Sequence, residues 1–447
     1  MYKVALPVIN KIAALKRLEP NPMLLKLMGK KPLIELFISE AVKMASIRHP
    51  HVTEIHDYHD AGDNPFYLMD YCCNNLGDFI GETYRTEAPS RILPIDRAVG
   101  YTLQTLSGLK RLHFEGIIHR DMKPFNLLID DRDMIKICDF GLSKIRGEHF
   151  AGPSNLNVGS PFYAAPEQVK NPDKADAASD LFAVGVMFYR MLTGELPPEQ
   201  DSDKWGKRAL SVGDRNPELK ETPDLNHEWD DFTKRATHPE KTCRFASADE
   251  MQNVLTDLFT EWKTLKERTC LFDDVQEKVI KPQARFHINL RSEPIKAGVS
   301  KGRETFGVDE LWRPEKNTAN RFTEFQTGFI LDEATHLVWE KSGSMYPMDY
   351  SKAKQYINHL NKEKKGGRNN WRLPTVDELL SLISIPSMGD FCLEPVFDKR
   401  QKWLWSIDQC AFTSAWFVSM DLGFLSKQDK TASYYVKATA TADHKMA

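Results

Sequence analysis

Long apolar runs are missing from this 447-residue chain. No stretch reaches the roughly eighteen residues that a membrane span needs. The N-terminus lacks the basic, apolar and small-residue succession of a secretory signal. An excess of either charge is missing too: 60 Lys and Arg against 63 Asp and Glu leave a formal charge of −3. That balance argues against a surface built to coat nucleic acid or an anionic membrane. The densest basic stretch, KEKKGGR at Lys362–Arg368, sits beside glycines and reads as a solvated loop. Cysteine is sparse, with seven residues and no C-x-x-C. Cys72 and Cys73 are adjacent, where a mutual disulfide would be strained. This usage predicts reduced thiols and a cytoplasmic protein; Cys392 and Cys410 could pair, which the sequence leaves open. No internal repeat and no low-complexity segment is present.

The length allows two or three domains, each with its own core. Near the start, Val4–Ile9 and Ile12–Leu15 are apolar runs split by Asn10 and Lys11, predicting strand, turn, strand. In residues 33–47, Leu33, Leu36, Phe37, Ala41 and Met44 recur at helical steps, and Arg48-His49-Pro50 ends the helix. Strands are expected at Val52–His56 and Phe66–Tyr71, and helices over 97–115 and Phe182–Leu192. Residues 266–318 are polar, carry scattered Pro and Gly, and read as a linker. Beyond 319, tryptophans become dense at 339, 371, 403, 405 and 416.

The stretch IIHRDMKPFNLLI carries the most chemistry. Two apolar strands flank a polar loop in which Asp121, Lys123 and Asn126 converge. That set suits phosphoryl transfer: a carboxylate to accept a hydroxyl proton, a cation to neutralise the moving phosphate, an amide to ligate Mg²⁺. A charged turn between strands is the plainer alternative. Two further strings in order weigh against it: Asp139-Phe140-Gly141 after the strand MIKIC, and Ala165-Pro166-Glu167 after GSPFYA. With His119-Arg120-Asp121…Asn126, these make residues 1–262 resemble the eukaryotic-type protein kinases.

The resemblance implies an α+β, bilobal fold over 1–265, with an N-lobe to about 71 and a C-lobe over 72–265. It implies ATP and Mg²⁺ as cofactors and a protein Ser or Thr as acceptor. Asp121 would be the catalytic base, Asn126 and Asp139 the metal ligands, and Lys123 the mark of Ser/Thr specificity. Lys16, in Ala14-Leu15-Lys16, would position ATP with Glu40 as its helix partner; Glu35 fits that spacing less well. Met69 would be the gatekeeper, and Asp70-Tyr71-Cys72 the hinge that meets adenine, with Ala14 and Leu128 on its two sides. Met44, Ile55, His119 and Phe140 would stack as a regulatory spine. Asp180 would brace the catalytic loop, Arg244 would pair with Glu167, and Arg120 could hold a phosphate on the activation segment. Ser160 would contact Asp121 and Lys123, and Ser154 is the expected phosphosite.

Kinases also place a G-x-G-x-x-G loop before the lysine strand, and this chain has no such motif. Tyr2-Lys3 stands where the family has the strand after those glycines. The expectation is an N-lobe truncated at its first strand, with the loop encoded upstream and weak ATP binding by this chain.

In the second half, Pro374 ends a strand, and Thr375 and Glu378 form a capping box. Val376, Leu379, Leu380 and Ile383 then share one face. A helix around 351–361 would bury Ala353, Tyr356, Ile357 and Leu360. Strands are expected in HLVWEK, KWLWSI and SAWFVSMDLGF. The pieces Thr335–Trp339, Trp371–Thr375, Glu378-Leu379, Trp405-Ser406 and Ala415–Val418 make 319–440 resemble the domain of unknown function called DUF1566, or Lcl C-terminal domain. That resemblance implies a C-type-lectin-like α+β fold. SYYVKAT departs from the family's Arg-rich last strand, and 441–447 would be a tail. The tryptophans read as core; a binding face would come from loops around 387–402 and 408–430. No metal-ligand spacing or catalytic constellation is visible here. The chain thus reads as a Ser/Thr protein kinase joined to a ligand-binding or targeting domain. The alternative is a catalytically impaired scaffold that presents the second domain.

Overall fold

The computed structural model describes residues 1–442 apart from 10, 21, 61, 63, 84–85, 140–143, 146–161, 199–210, 271–287 and 389–390. Two compact units divide the chain, Met1–Gln276 and Glu277–Ala447. Among the described residues no helix is long and apolar enough to cross a membrane. Cys72, Cys73, Cys138, Cys243, Cys392 and Cys410 are free thiols, so the possible Cys392–Cys410 pair does not form.

The first unit opens with four antiparallel strands, β1 (Tyr2–Leu6), β2 (Lys11–Arg17), β3 (Ile55–His59) and β4 (Phe66–Asp70), in the order β1-β2-β4-β3. β1 and β2 are the expected hairpin, with Tyr2 opposite Leu15. β2 then lies along β4 with Ala14 opposite Met69 and Lys16 opposite Tyr67. The helix Lys30–Ala45 buries Leu33, Phe37, Ala41 and Met44, and Phe37 stacks on Tyr67 with centroids 5.1 Å apart. Leu36, grouped with that buried face by its spacing, is exposed instead. Pro32 lies in the first turn, where its missing N–H costs nothing.

Below the sheet the unit is mostly helical. Helix Ile95–Phe114 and helix Ala177–Thr193 are its long buried elements. Every residue from Ser179 to Thr193 is buried, which is why the run is apolar all round. Asp176 and Ser179 form its capping box, and Gly194 ends it at φ 75°, a left-handed position that suits glycine. Phe188 packs edge-on against Phe232 and near Trp229 of helix Asn226–Ala236. A small antiparallel sheet of Asn74–Asn75, Leu127–Ile129 and Ile135–Ile137 frames the polar loop.

The second unit holds a four-stranded antiparallel sheet of Phe322–Gln326, Phe329–Asp332, Leu337–Glu340 and Thr439–Thr441. A three-stranded sheet joins Trp403–Gln409, Ser414–Ser419 and Phe424–Asp429. Two helices, Tyr350–Lys362 and Val376–Ser381, stand where they were expected with the Thr375–Glu378 capping box present, but the second stops at Ser381 and Ile383, grouped with its face by spacing, begins a strand instead. Ala353, Ile357 and Leu360 are buried, while Tyr356 is half-buried and its hydroxyl donates to Glu340 at 2.8 Å. All five tryptophans from 339 to 416 are buried.

Three expectations change. The described part of the supposed linker, 288–318, folds into this unit: helix Val299–Phe306 lies within it, and Ala297, Phe306 and Val308 enter the core. Trp312 lies 5.5 Å from Trp416, and the Trp416 indole donates to the Ala297 carbonyl at 2.9 Å. A few buried side chains spread among many charges leave no period to read. The stretch 408–430 is two strands rather than a loop face. Thr441, assigned to a tail, pairs with Leu337 in the last strand.

Candidate active site

Local sequence puts the polar loop where it is. After Ile117–Ile118 the chain turns through Arg120 at φ 70°, a left-handed conformation that a residue with a Cβ adopts only when its surroundings fix it. The fixing group is Asp180 at the start of helix Ala177–Thr193. Its carboxylate accepts from the His119 and Arg120 backbone amides at 2.9 and 2.8 Å and from the His113 ring at 2.9 Å. Burial alone would raise the Asp180 pKa; the His113 hydrogen bond and the nearby imidazoles hold it below the usual carboxylate range. The Arg120 carbonyl is held by Gln168 Nε2 at 2.6 Å.

From that base the three polar side chains meet. Lys123 Nζ is 2.8 Å from Asp121 Oδ2. Asn126 Nδ2 donates to the Asp121 carbonyl at 2.7 Å and to Asp121 Oδ2 at 3.1 Å. With the amide nitrogen so engaged, the Asn126 oxygen is the atom left for a cation.

Asp139 has φ 66° and a side chain 44% exposed. Its Oδ1 lies 3.0 Å from Lys16 Nζ, and Lys16 Nζ is 2.6 Å from Glu40 Oε1. Glu40 is buried and Glu35 exposed, so the helix offers Lys16 the carboxylate that the spacing favoured. Burial pulls the Lys16 pKa down, but Glu40 and Asp139 outweigh it and hold the ammonium above the ordinary lysine range. The Tyr67 hydroxyl donates to the same Glu40 oxygen at 3.0 Å. Burial and the Glu40 charge push its own pKa up, so it stays a donor.

The other candidates are partly gathered. Ala14 and Met69 are buried neighbours across β2 and β4, and Leu128 and Cys72 are half-buried. Burial, with Asp130 and Asp70 nearby, pushes the Cys72 thiol up to about 12. The Asp70 side chain is already engaged, 3.0 Å from Lys136 Nζ and 2.9 Å from His56 Nε2. Glu167 and Arg244 form a two-pronged pair at 2.8 and 2.9 Å. Phe140, Gly141, Ser154 and Ser160 lie outside the described residues. Tyr67, His113 and Gln168 escaped the sequence reading: each sits far along the chain from its partner, and only the fold brings them near.

The set of oxygens fits one cation better than another. Mg²⁺ takes one or two protein oxygens and completes its shell with phosphates and water. Asn126 and Asp139 offer such a pair, and no group of three or more His, Cys, Asp or Glu that could hold a metal occurs among the described residues.

Comparison with known proteins covers the part of the chain that carries these residues. The chain is 34% identical over 182 residues to a Bifidobacterium longum protein named "Probable serine/threonine-protein kinase pknA2", covering 39% of this chain and 22% of that one. It is 32% identical over 203 residues to the serine/threonine-protein kinase pkn3 of Myxococcus xanthus, covering 43% and 35%. It is 29% identical over 234 residues to a Lactococcus lactis protein named "Probable serine/threonine-protein kinase PknB", covering 51% and 35%. The chain thus spans between 22% and 35% of these relatives' own lengths. Residues 328–440 match the Lcl C-terminal domain. Residues 2–259, more than half of the chain, match the protein kinase domain, and the chain belongs to that family.

Proposed function

We propose that this chain is a protein serine/threonine kinase that moves the γ-phosphate of ATP to a protein hydroxyl. The observation that carries the reading is the pair of charge clusters that one unit holds: Lys16 with Glu40 and Asp139, and Asp121 with Lys123 and Asn126. Asp121 accepts the proton of the acceptor hydroxyl, and Lys123 steadies the negative charge that develops beside it. Lys16, kept cationic by its carboxylates, binds the nucleotide phosphates, and Glu40 fixes its direction. Ala14, Met69 and Leu128 supply apolar walls for the base, with the backbone around Asp70 and Cys72 beside it. Asn126 and Asp139 would hold Mg²⁺, which when bound neutralises phosphate charge. Arg120 would hold a phosphate on the activation segment, with Ser154 as the site modified, and Ser160 would line the acceptor side.

Residues 328–440 serve, in this reading, as a lectin-like domain that binds a ligand or targets the kinase. Among the described residues of that unit no group of three or more His, Cys, Asp or Glu could hold a metal. A scaffold role for the whole chain is the second reading. Turnover of ATP that requires both Mg²⁺ and an acceptor protein separates the two. The kinase reading expects turnover that Asp121→Asn and Asp139→Asn each abolish. Equal ATP loss in all three proteins would support the scaffold.

A further inference from the structure

A cavity of about 550 Å³ opens in the first unit, lined by a segment carrying Glu87 and Pro89, one carrying Phe162 and Ala164, and the run from Glu195 to Pro198. Phe182 and Val186 also line it. Behind the walls lies a buried polar group that the catalytic reading leaves unused. The Tyr163 hydroxyl donates to Glu82 Oε2 at 2.7 Å, and Arg190 Nε lies 3.8 Å from the same oxygen. Arg190 also holds the first segment by its backbone, donating to the Thr86 and Ala88 carbonyls at 2.7 and 3.1 Å. Tyr163, Glu82 and Arg190 are all buried. One cluster thus anchors two of the walls.

The wall it anchors is strained. Phe162 is 47% exposed at φ 76°. A residue with a Cβ keeps a left-handed backbone only where neighbouring contacts over-determine it. Tyr163, next in sequence, turns inward and supplies that contact. The wall also leads to the reacting side: it runs directly into helix Pro166–Lys170, whose Gln168 side chain donates to the carbonyl of Arg120, the residue before Asp121, at 2.6 Å.

We propose that Glu82 is a positioning residue for the acceptor protein: through Tyr163 it holds the 162–164 wall so that the acceptor docks beside Asp121. This rests on the kinase reading and adds which side of the reaction the cluster serves. Among the described residues its hydrogen bonds and ion pairs run to this wall and to the Thr86–Ala88 segment rather than to Lys16 or Glu40, which puts its action on the acceptor and not on ATP.

The test uses the full chain with Glu82→Ala, Tyr163→Phe, the double variant and Glu82→Gln, and a histone mixture as acceptor. Losing the buried hydrogen bond should raise KM for histone about five-fold in each single variant, with KM for ATP unchanged. The double variant should match the singles because both remove one interaction. Glu82→Gln keeps an oxygen for the Tyr163 hydroxyl and should stay near the unaltered chain. A parallel rise in KM for ATP, or effects that multiply in the double variant, would overturn the proposal. If the unaltered chain transfers nothing, the kinase reading is what fails. Amide hydrogen exchange over 162–170 then still reads the anchor: it should quicken in Glu82→Ala and Tyr163→Phe but not in Glu82→Gln, and unchanged exchange would refute it.

Discussion

Asp121, Lys123 and Asn126 lie within one short stretch of chain, so their meeting follows from local sequence. Lys16 and Asp139 are 123 residues apart, and their meeting could be inferred only through the family pattern. Tyr67 on Glu40 and His113 on Asp180 had no pattern to announce them. Replacing Lys16 by Met should leave Glu40 and Asp139 facing each other without a cation, and should cut transfer by about 10²-fold or more. A phosphotransfer assay at saturating ATP checks this; a loss confined to KM would contradict it. Lys437 is a second residue-scale case. It is fully buried, donating to the Glu340 and Lys341 carbonyls at 3.3 and 2.8 Å, and burial lowers its pKa to about 8. The unfolded chain therefore binds the extra proton between about pH 8 and pH 10.5, and stability should rise with pH across that window. Urea unfolding followed over 328–440 should show the rise in the unaltered protein, and a smaller one in Lys437→Met.

Elements were most legible where capping and periodicity agreed. Thr375 accepts from the Glu378 amide at 3.3 Å while Glu378 accepts from the Thr375 amide at 2.9 Å, as the T-x-x-E spacing implies. The Thr375 hydroxyl also donates to the Arg291 carbonyl at 2.8 Å, which no spacing could reveal. Thr375→Ala should destabilise the second unit by about 1–2 kcal/mol, read as a lowered urea midpoint; a change below about 0.5 kcal/mol would mean the cap is redundant. Helix Ala177–Thr193 was legible as buried from its apolar run, but its role in holding Asp180 under the catalytic loop was legible only by family resemblance. Glu167, tied to Arg244 and Ser179, braces the segment before that helix. Burial works against its ionised form, yet the Arg244 hydrogen bonds hold its pKa below the usual range. The stability it contributes is present above the ordinary carboxylate pKa and is lost as pH falls through the depressed one. Arg244→Met should therefore raise the pH at which the first unit unfolds in acid; an unchanged acid midpoint would contradict this.

At the scale of the molecule the division into two units was readable, but its border was not. Composition placed 288–318 between domains because its charges outnumber its buried side chains. Arg291 nevertheless grips Asp408 at 3.0 and 2.7 Å, and Ile295 donates to the same carboxylate at 2.8 Å. Asp408 is fully buried, so removing Arg291 would strand a buried charge. A fragment beginning at 319 should fail to give a cooperative thermal transition, whereas one beginning at 277 should give one. Equal transitions would mean that 288–318 is dispensable.

The proposed activity is phosphate transfer from ATP to protein hydroxyls by the first unit, with Asp121 as the base. ³²P transfer from Mg-ATP to the chain itself and to histone, followed by phosphoamino-acid analysis, tests it most directly. Phosphoserine or phosphothreonine is expected in the unaltered protein and none in Asp121→Asn. Equal labelling of the two, or no label while nucleotide still binds, would contradict it.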